Sequence, residues 1–288
     1  MSAPPPPFRP FRVHEPAAPG PVVVEVPHAG LAVDERAARF TRVPERALVA
    51  DADIAADALF GDVAEEGAAL VVATASRFVI DLNTAPRVPT PYEDKLPYGL
   101  REVRRRSASG EAWLDSPPPR AEVERRVREV FEPYHAEVAA RLAAARARHG
   151  VAILVSAHSY PDVLFPRAAD VVLGTRGGAS AAGWARDAVA DVARAHGLSL
   201  ALDDPFPGGH AIERHARRDE GGHALQVELA RRLYCDARSF TPRPEDVARL
   251  RAFARGVVAA LAAAARGHGA MAPREDAAPR DEGAAMAR

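Results

Sequence analysis

Three residues of types that bind metal ions, two histidines and an aspartate, lie at positions where they could meet. His28, in "VEVPHAG", and His158, in "VSAHSYP", each follow an apolar run typical of a β-strand, although a lone histidine there more often has a structural role. Asp53, in "DADIAADALF", precedes an apolar residue on a stretch expected to pack against the sheet, whereas Asp51 is interpreted as a helix cap. Two imidazoles and one carboxylate can hold zinc and leave a fourth position for water. These ligand types predict a hydrolytic metal site, whereas their long-range spacing, unlike that of H-E-x-x-H, is by itself a weak signal.

A carboxylate within an apolar strand could supply the proton chemistry for such a site. In "HALQVEL", strand alternation places Gln226 and Glu228 on one face, opposite Leu225, Val227 and Leu229. A buried carboxylate costs free energy unless it is paired or used in chemistry. Near an activated water, Glu228 is a candidate general base. A buried ion pair with an arginine is the equally weighted alternative.

Candidate substrate-binding residues lie in two further stretches. "DLNTAPR" contains Asn83 and Arg87, and "GGHAIERHARR" contains Arg214 and His215. Arginine suits bidentate capture of a substrate carboxylate. Because Lys95 is the sole lysine among 38 lysines and arginines, arginine is the default cation here, and surface charge remains the alternative for each.

Strand and helix patterns alternate along the chain, which favours an α/β fold with a parallel sheet. The carboxyl ends of such strands meet at one edge, where these folds place their sites. Residues 83–118 have little periodicity and many prolines, which is typical of a binding loop. The predicted strands are 21–26, 69–75, 151–157, 170–174 and 223–229, and the predicted helices are 44–60, 120–149, 180–196 and 243–265.

Composition excludes several classes of protein. The 288 residues are 48% hydrophobic and 27% charged with a formal net charge of -1, which is ordinary for a soluble globular protein and argues against nucleic-acid binding. The single cysteine, Cys235, excludes an internal disulfide and a multi-cysteine metal site. No apolar run is long enough for a membrane span, and the N-terminus is unlike a signal peptide, so we expect a cytoplasmic protein.

We expect three segments: a proline-rich lead-in at 1–20, a single domain at 21–266 and a disordered tail at 267–288. The sequence does not indicate an oligomeric state. It contains neither a G-x-G-x-x-G pattern nor a P-loop, so nucleotide-binding classes have no support.

Several stretches in order resemble the N-formylglutamate amidohydrolase family, zinc enzymes of histidine breakdown. They are "PHAG", "DADIAADALF", "VIDLN", "PYHAEVAARLAAARARHG", "AHS", "LGTRGGAS" and "GGHAIERHARRDEGGHALQVELARRLY", within about residues 22–245. The resemblance implies a carboxypeptidase-like (phosphorylase/hydrolase-like) architecture, with a mixed, mostly parallel sheet flanked by helices. It also implies one zinc ion held by His28, Asp53 and His158, with Glu228 as general base. The substrate would be a small N-formyl or other N-acyl amino acid.

Two departures from the family pattern concern the substrate. Thr84 follows the "DLN" stretch, where the family usually has arginine, and the next arginine is Arg87. Tyr160, Pro161 and Asp162 follow "HS", where family members that degrade histidine tend to have a basic residue. If those basic residues bind substrate carboxylates, this pocket holds its substrate differently.

The sequence is also compatible with three alternative functions. One is a carboxypeptidase-like peptidase or aminoacylase of the same fold, and another is a non-catalytic relative that binds a metal or ligand. A closed structural metal site is a third alternative, which would require a fourth ligand such as His210 or His223.

Overall fold

The computed structural model describes residues 8–40, 43–86 and 118–269, which form a seven-stranded sheet. The five predicted strands are present, and two short strands at the sheet edges, β1 and β6, had not been predicted. β1 lies in the stretch expected to be an extended lead-in. The strands are β1 (Phe11–His14), β2 (Val22–Val26), β3 (Ala69–Ala73), β4 (Ala152–Tyr160), β5 (Val171–Gly174), β6 (Leu200–Leu202) and β7 (Gly222–Ala230).

The strand order is β1-β3-β2-β4-β7-β5-β6. The central strands β3, β2, β4 and β7 run parallel, β1 is antiparallel to β3, and β5 is antiparallel to β7 but parallel to β6. The mixed, mostly parallel sheet with flanking helices confirms the predicted fold class.

Helices cover both faces of the sheet and bury it. Helix α5 packs on one face through Tyr134 and Val138, and α6 and α8 pack on the other through residues such as Val189 and Phe253. Strands buried on both faces are near-continuous apolar runs, as β2 and β3 are. The helices are α1 (Glu35–Ala38), α2 (Glu45–Asp51), α3 (Ala56–Leu59), α4 (Arg120–Arg126), α5 (Glu132–His149), α6 (Gly183–Ala195), α7 (His210–His215) and α8 (Pro244–Gly269), and a π-helical turn, Val127–Phe131, joins α4 to α5.

None of the described helices combines the length and the apolar character that crossing a bilayer demands.

The prediction of one continuous helix over 44–60 was wrong. The chain forms α2 and α3 instead, with a break in which Ala55 has a φ of 58°. Inside the break, the backbone N–H of Asp53 donates to the carbonyl of His28 at 2.9 Å. This tertiary hydrogen bond replaces a helical one, and it turns the Asp53 side chain towards the carboxyl edge of the sheet.

Candidate metal centre and active-site cavity

The two candidate histidines reach the site from adjacent strands in different ways. His28 follows the end of β2, as predicted, whereas His158 lies inside β4, which had been predicted to end at Ala157. β4 continues because it pairs with β7 along its whole length, as far as Tyr160. The local sequence pattern does not reveal this long-range pairing. The same register sets His158 directly beside Glu228.

His28, Asp53 and His158 form a compact buried cluster. One ligand atom from each lies within 4.8 Å of the other two. Oδ2 of Asp53 is 2.9 Å from Nδ1 of His158 and 3.8 Å from Nδ1 of His28. The three side chains predicted as metal ligands therefore converge, although they are far apart in sequence.

Each histidine has a second partner behind the cluster. Nε2 of His28 is 2.8 Å from Oδ1 of Asp81, and Nε2 of His158 is 3.1 Å from Oγ of Ser156. Asp81 is itself paired with Arg77 at 2.7 Å. Partners of this kind select the ring tautomer and leave Nδ1 facing the cluster, which is typical of metal-binding histidines.

The protonation equilibria of the cluster are strongly perturbed. Burial, together with the charge of Arg77, lowers the pKa of His28. Burial also opposes charge on Asp53 and His158, but hydrogen bonds and opposite charges outweigh it. The hydrogen bond to His158 and the charge of His158 lower the pKa of Asp53. The charge of Glu228 and the hydrogen bond to Asp53 raise the pKa of His158 to about 9. The carboxylates therefore stabilise a positive charge at this point, which is where a metal cation would also be stabilised.

Glu228 lies beside the cluster on the same face of the sheet as Gln226, as predicted. It accepts a hydrogen bond from Nε2 of Gln226 at 2.9 Å, whereas Leu225 and Val227 point into the opposite apolar layer. Burial raises the pKa of Glu228 to about 7, against the lowering effect of His158. A carboxylate with such a pKa can exchange protons near neutral pH.

Arg231 organises the loop that carries Asp53, and sequence reasoning missed it. It directly follows β7, and it donates to the carbonyls of Ala50 at 2.8 Å and Ala52 at 2.7 Å. Its NH2 is also 3.5 Å from Oδ1 of Asp53. Its position just after the strand that carries Glu228 was the available signal, but the abundance of arginine obscured it.

The cluster forms the floor of a cavity of about 370 Å³. Asn83 lines it, and its amide is held by Gln226 and by the backbone N–H of Ala211. Thr84, which occupies the first of the two divergent positions, lines it too. The lining residues are His28, Ala50, Asp51, Asp53, Arg77, Asp81, Asn83, Thr84, His158, Ser159, Tyr160, Pro161, Leu164, Phe165, Phe206, Glu228 and Arg231.

Two of the other predicted substrate-binding residues, Arg214 and His215, do not line this cavity. Arg214 pairs with Glu132 at 2.7 Å, and His215 stacks on His135 with 3.0 Å between ring nitrogens. Both line a separate cavity beside α5, because α7 turns this face towards that helix. Arg87 lies outside the described residues, so its role stays a prediction.

The two candidate fourth ligands also lie elsewhere. His210 packs against Phe131 and His135, and His223 packs against Trp184. Neither belongs to the metal-type cluster found in the described ranges, which consists of His28, Asp53 and His158.

Comparison with known proteins shows which family the chain belongs to. The sequence profile of the N-formylglutamate amidohydrolase family matches residues 20–235. This chain belongs to that family. It is 32% identical over 253 residues to N-formylglutamate deformylase of Pseudomonas aeruginosa, a match that covers 84% of this chain and 93% of that protein. The enzyme of the same name from Pseudomonas putida is 32% identical over 239 residues, covering 79% and 86%.

A solved structure extends the match to the fold. The crystal structure of N-formylglutamate amidohydrolase from Ralstonia eutropha JMP134 superposes with a TM-score of 0.79 and 26% identity, covering 91% of this chain and all of that chain. The family resemblance inferred from the motifs is thus confirmed.

Proposed function

We propose that this protein is a zinc-dependent amidohydrolase that cleaves the amide bond of a small N-formyl or other N-acyl amino acid. The observation that carries the proposal is the buried cluster of His28, Asp53 and His158 beside Glu228, on the floor of a cavity that a small molecule can enter. The two relatives from Pseudomonas are N-formylglutamate deformylases, which supports the reaction class.

The donor set fits zinc. Two imidazole nitrogens and one carboxylate oxygen are typical of catalytic zinc sites with an open fourth position. The contacts of His28 with Asp81 and of His158 with Ser156 would hold both rings in place for the ion. Zinc bound there would supply a water of lowered pKa and polarise the scissile carbonyl.

Glu228 would transfer a proton from the attacking water to the leaving amine. It would accept one proton from the attacking water as the water oxygen bonds to the acyl carbon. It would then return that proton to the amine nitrogen as the C–N bond breaks, which yields a carboxylate and a free amino acid. The hydrogen bond from Gln226 orients the carboxylate for both transfers.

The remaining polar residues would position the substrate. Asn83 borders the cavity, and its fixed amide can present a defined edge to the substrate. Arg87 stays a proposed binding residue on sequence grounds. Arg214 and His215 are omitted, because their side chains line another cavity.

The decisive experiment compares Glu228→Gln with the parent protein on a panel of N-formyl and N-acetyl amino acids, with metal content measured in parallel. Loss of a general base is expected to lower kcat by roughly 10²- to 10⁴-fold while the bound zinc stays. Asp53→Asn should lose both zinc and turnover.

Glu213→Gln is the matched control, since Glu213 is exposed and pairs with Arg176 on the surface. Full activity in Glu228→Gln would contradict the assigned base. Bound zinc without turnover of any panel member in the parent protein would favour a non-catalytic metal-binding relative.

A further inference from the structure

One side of the cavity is built from apolar side chains. We call the apolar wall Tyr160, Pro161, Leu164, Phe165 and Phe206, all of which line the cavity opposite the charged floor. Four of them lie within residues 160–165, at the end of β4 and in or beside the short 3-10 turn Asp162–Leu164 that follows it. Phe206 is brought in from the loop after β6, so two remote stretches of chain build one surface.

The apolar wall is packed firmly. The Phe206 ring lies 4.9 Å from that of Phe165 and 5.2 Å from that of Tyr160, centroid to centroid. The Tyr160 hydroxyl donates to the carbonyl of Ala169, so it is occupied outside the cavity. Interlocked rings of this kind offer a preformed apolar surface at little entropic cost.

At the cavity mouth, Leu164 is 55% exposed. A single exposed leucine needs no explanation, but one that borders a concave site gains from being covered by a ligand.

The described charged residues of the cavity offer little to a carboxylate on the substrate side chain. Among the described lining residues the cations are Arg77 and Arg231. Arg77 is paired with Asp81 at 2.7 Å, and Arg231 is bonded to two backbone carbonyls. Within the described lining, both cations are thus already engaged, so a carboxylate on the substrate side chain would be buried there without a cation dedicated to it, which costs free energy.

We propose that the preferred substrate carries an apolar amino-acid side chain, of leucine or phenylalanine type, seated against the apolar wall. This rests on the proposed function, whose reaction it refines by naming the substrate class. Covering a side chain of that size corresponds to roughly a 10- to 100-fold gain in affinity or kcat/KM over a polar one of similar length.

The test measures kcat/KM for the N-formyl derivatives of leucine, phenylalanine, glutamine and glutamate. We expect leucine or phenylalanine to exceed glutamate by about 10-fold or more. Glutamine separates the effect of charge from that of length. A preference for the glutamate derivative would overturn the proposal.

Two variants locate the effect. Leu164→Ala should raise KM for the leucine derivative by about 10-fold, with a much smaller effect on the glutamine derivative. Val163→Ala is the control, because Val163 is 66% exposed on the same turn but does not line the cavity. Equal effects of the two substitutions would also overturn the proposal.

A binding measurement separates this inference from the proposed reaction. Calorimetric titration of zinc-loaded Glu228→Gln with the same derivatives reports affinity without turnover. Tighter binding of the leucine derivative supports the apolar wall even if the parent protein hydrolyses none of the panel, in which case the proposed function alone fails. Equal binding of the leucine and glutamate derivatives, or binding of neither, overturns the proposed preference for an apolar side chain.

Discussion

Arg231 is expected to be the arginine on which both the stability of the fold and the geometry of the metal cluster depend. Its guanidinium is buried and donates to the carbonyls of Ala50 and Ala52, which lie just before Asp53 in the chain. Arg231→Met keeps an unbranched apolar stem out to the position of Nε but removes the guanidinium and every donor. The substitution therefore removes the hydrogen bonds while retaining the packing of the stem.

The magnitude follows from those bonds. Hydrogen bonds from a charged donor contribute about 1.5–3 kcal/mol each, so the loss of two corresponds to roughly 3–6 kcal/mol. For a protein of this size, each kcal/mol lowers Tm by about 2–4 °C, so we expect a decrease on the order of 6–24 °C. Because the freed loop carries Asp53, zinc affinity should fall by about 10- to 100-fold as well.

Arg232→Met is the matched control. Arg232 is the next residue, 39% exposed, and pairs with Asp170 at 2.8 Å, so its loss should cost about 0–1 kcal/mol and leave zinc affinity unchanged. The assays are chemical denaturation and competitive zinc titration. Equal destabilisation by both substitutions, or unchanged zinc affinity in Arg231→Met, would refute this reasoning.

Two further predictions concern the backbone and the buried layer. Gly30→Ala should destabilise the protein by about 3 kcal/mol or more, because the added Cβ would lie 2.4 Å from backbone atoms of Thr74. Gly177→Ala should cost about 1–2 kcal/mol, because Gly177 has a φ of 66° but open space around it. Thermal denaturation of the two variants measures both costs. Glu25→Gln should increase stability by about 1–3 kcal/mol at neutral pH, since burial raises the pKa of Glu25. Because the pKa of Glu25 is raised in the folded protein, protonation of Glu25 favours the native state. The stability gained by Glu25→Gln should therefore vanish below pH 4.5, the ordinary pKa of glutamate, and grow above it. Denaturation as a function of pH checks this, and a pH-independent difference in stability would contradict it.

Much of the fold could be predicted from the sequence because its signals are local. Continuous apolar runs define β2, β3 and the core of β4, and the alternation in β7 places Gln226 and Glu228 on one face. The edge strands β1 and β6 escaped because four or three residues carry too little pattern. Their strand character comes from pairing with β3 and β5.

The residues that could do chemistry were determined by the sequence itself. His28, Asp53, His158 and Glu228 could be selected because each is a polar group at a position that otherwise favours apolar or turn residues. Their convergence could not be derived from spacing, since long-range distances depend on strand order. The structure brings them together by setting β2, β4 and β7 side by side.

Only the tertiary structure decided how Asp53 reaches the site. The pattern over 44–60 favours a helix, but the hydrogen bonds from the Asp53 N–H to the His28 carbonyl and from Arg231 to the Ala50 carbonyl stabilise the break more than one helical turn would. The assignment of arginines likewise depended on the fold. Arg231 and Arg214 look alike in the sequence, but burial beside backbone carbonyls makes the first part of the site, while a surface carboxylate holds the second away from it.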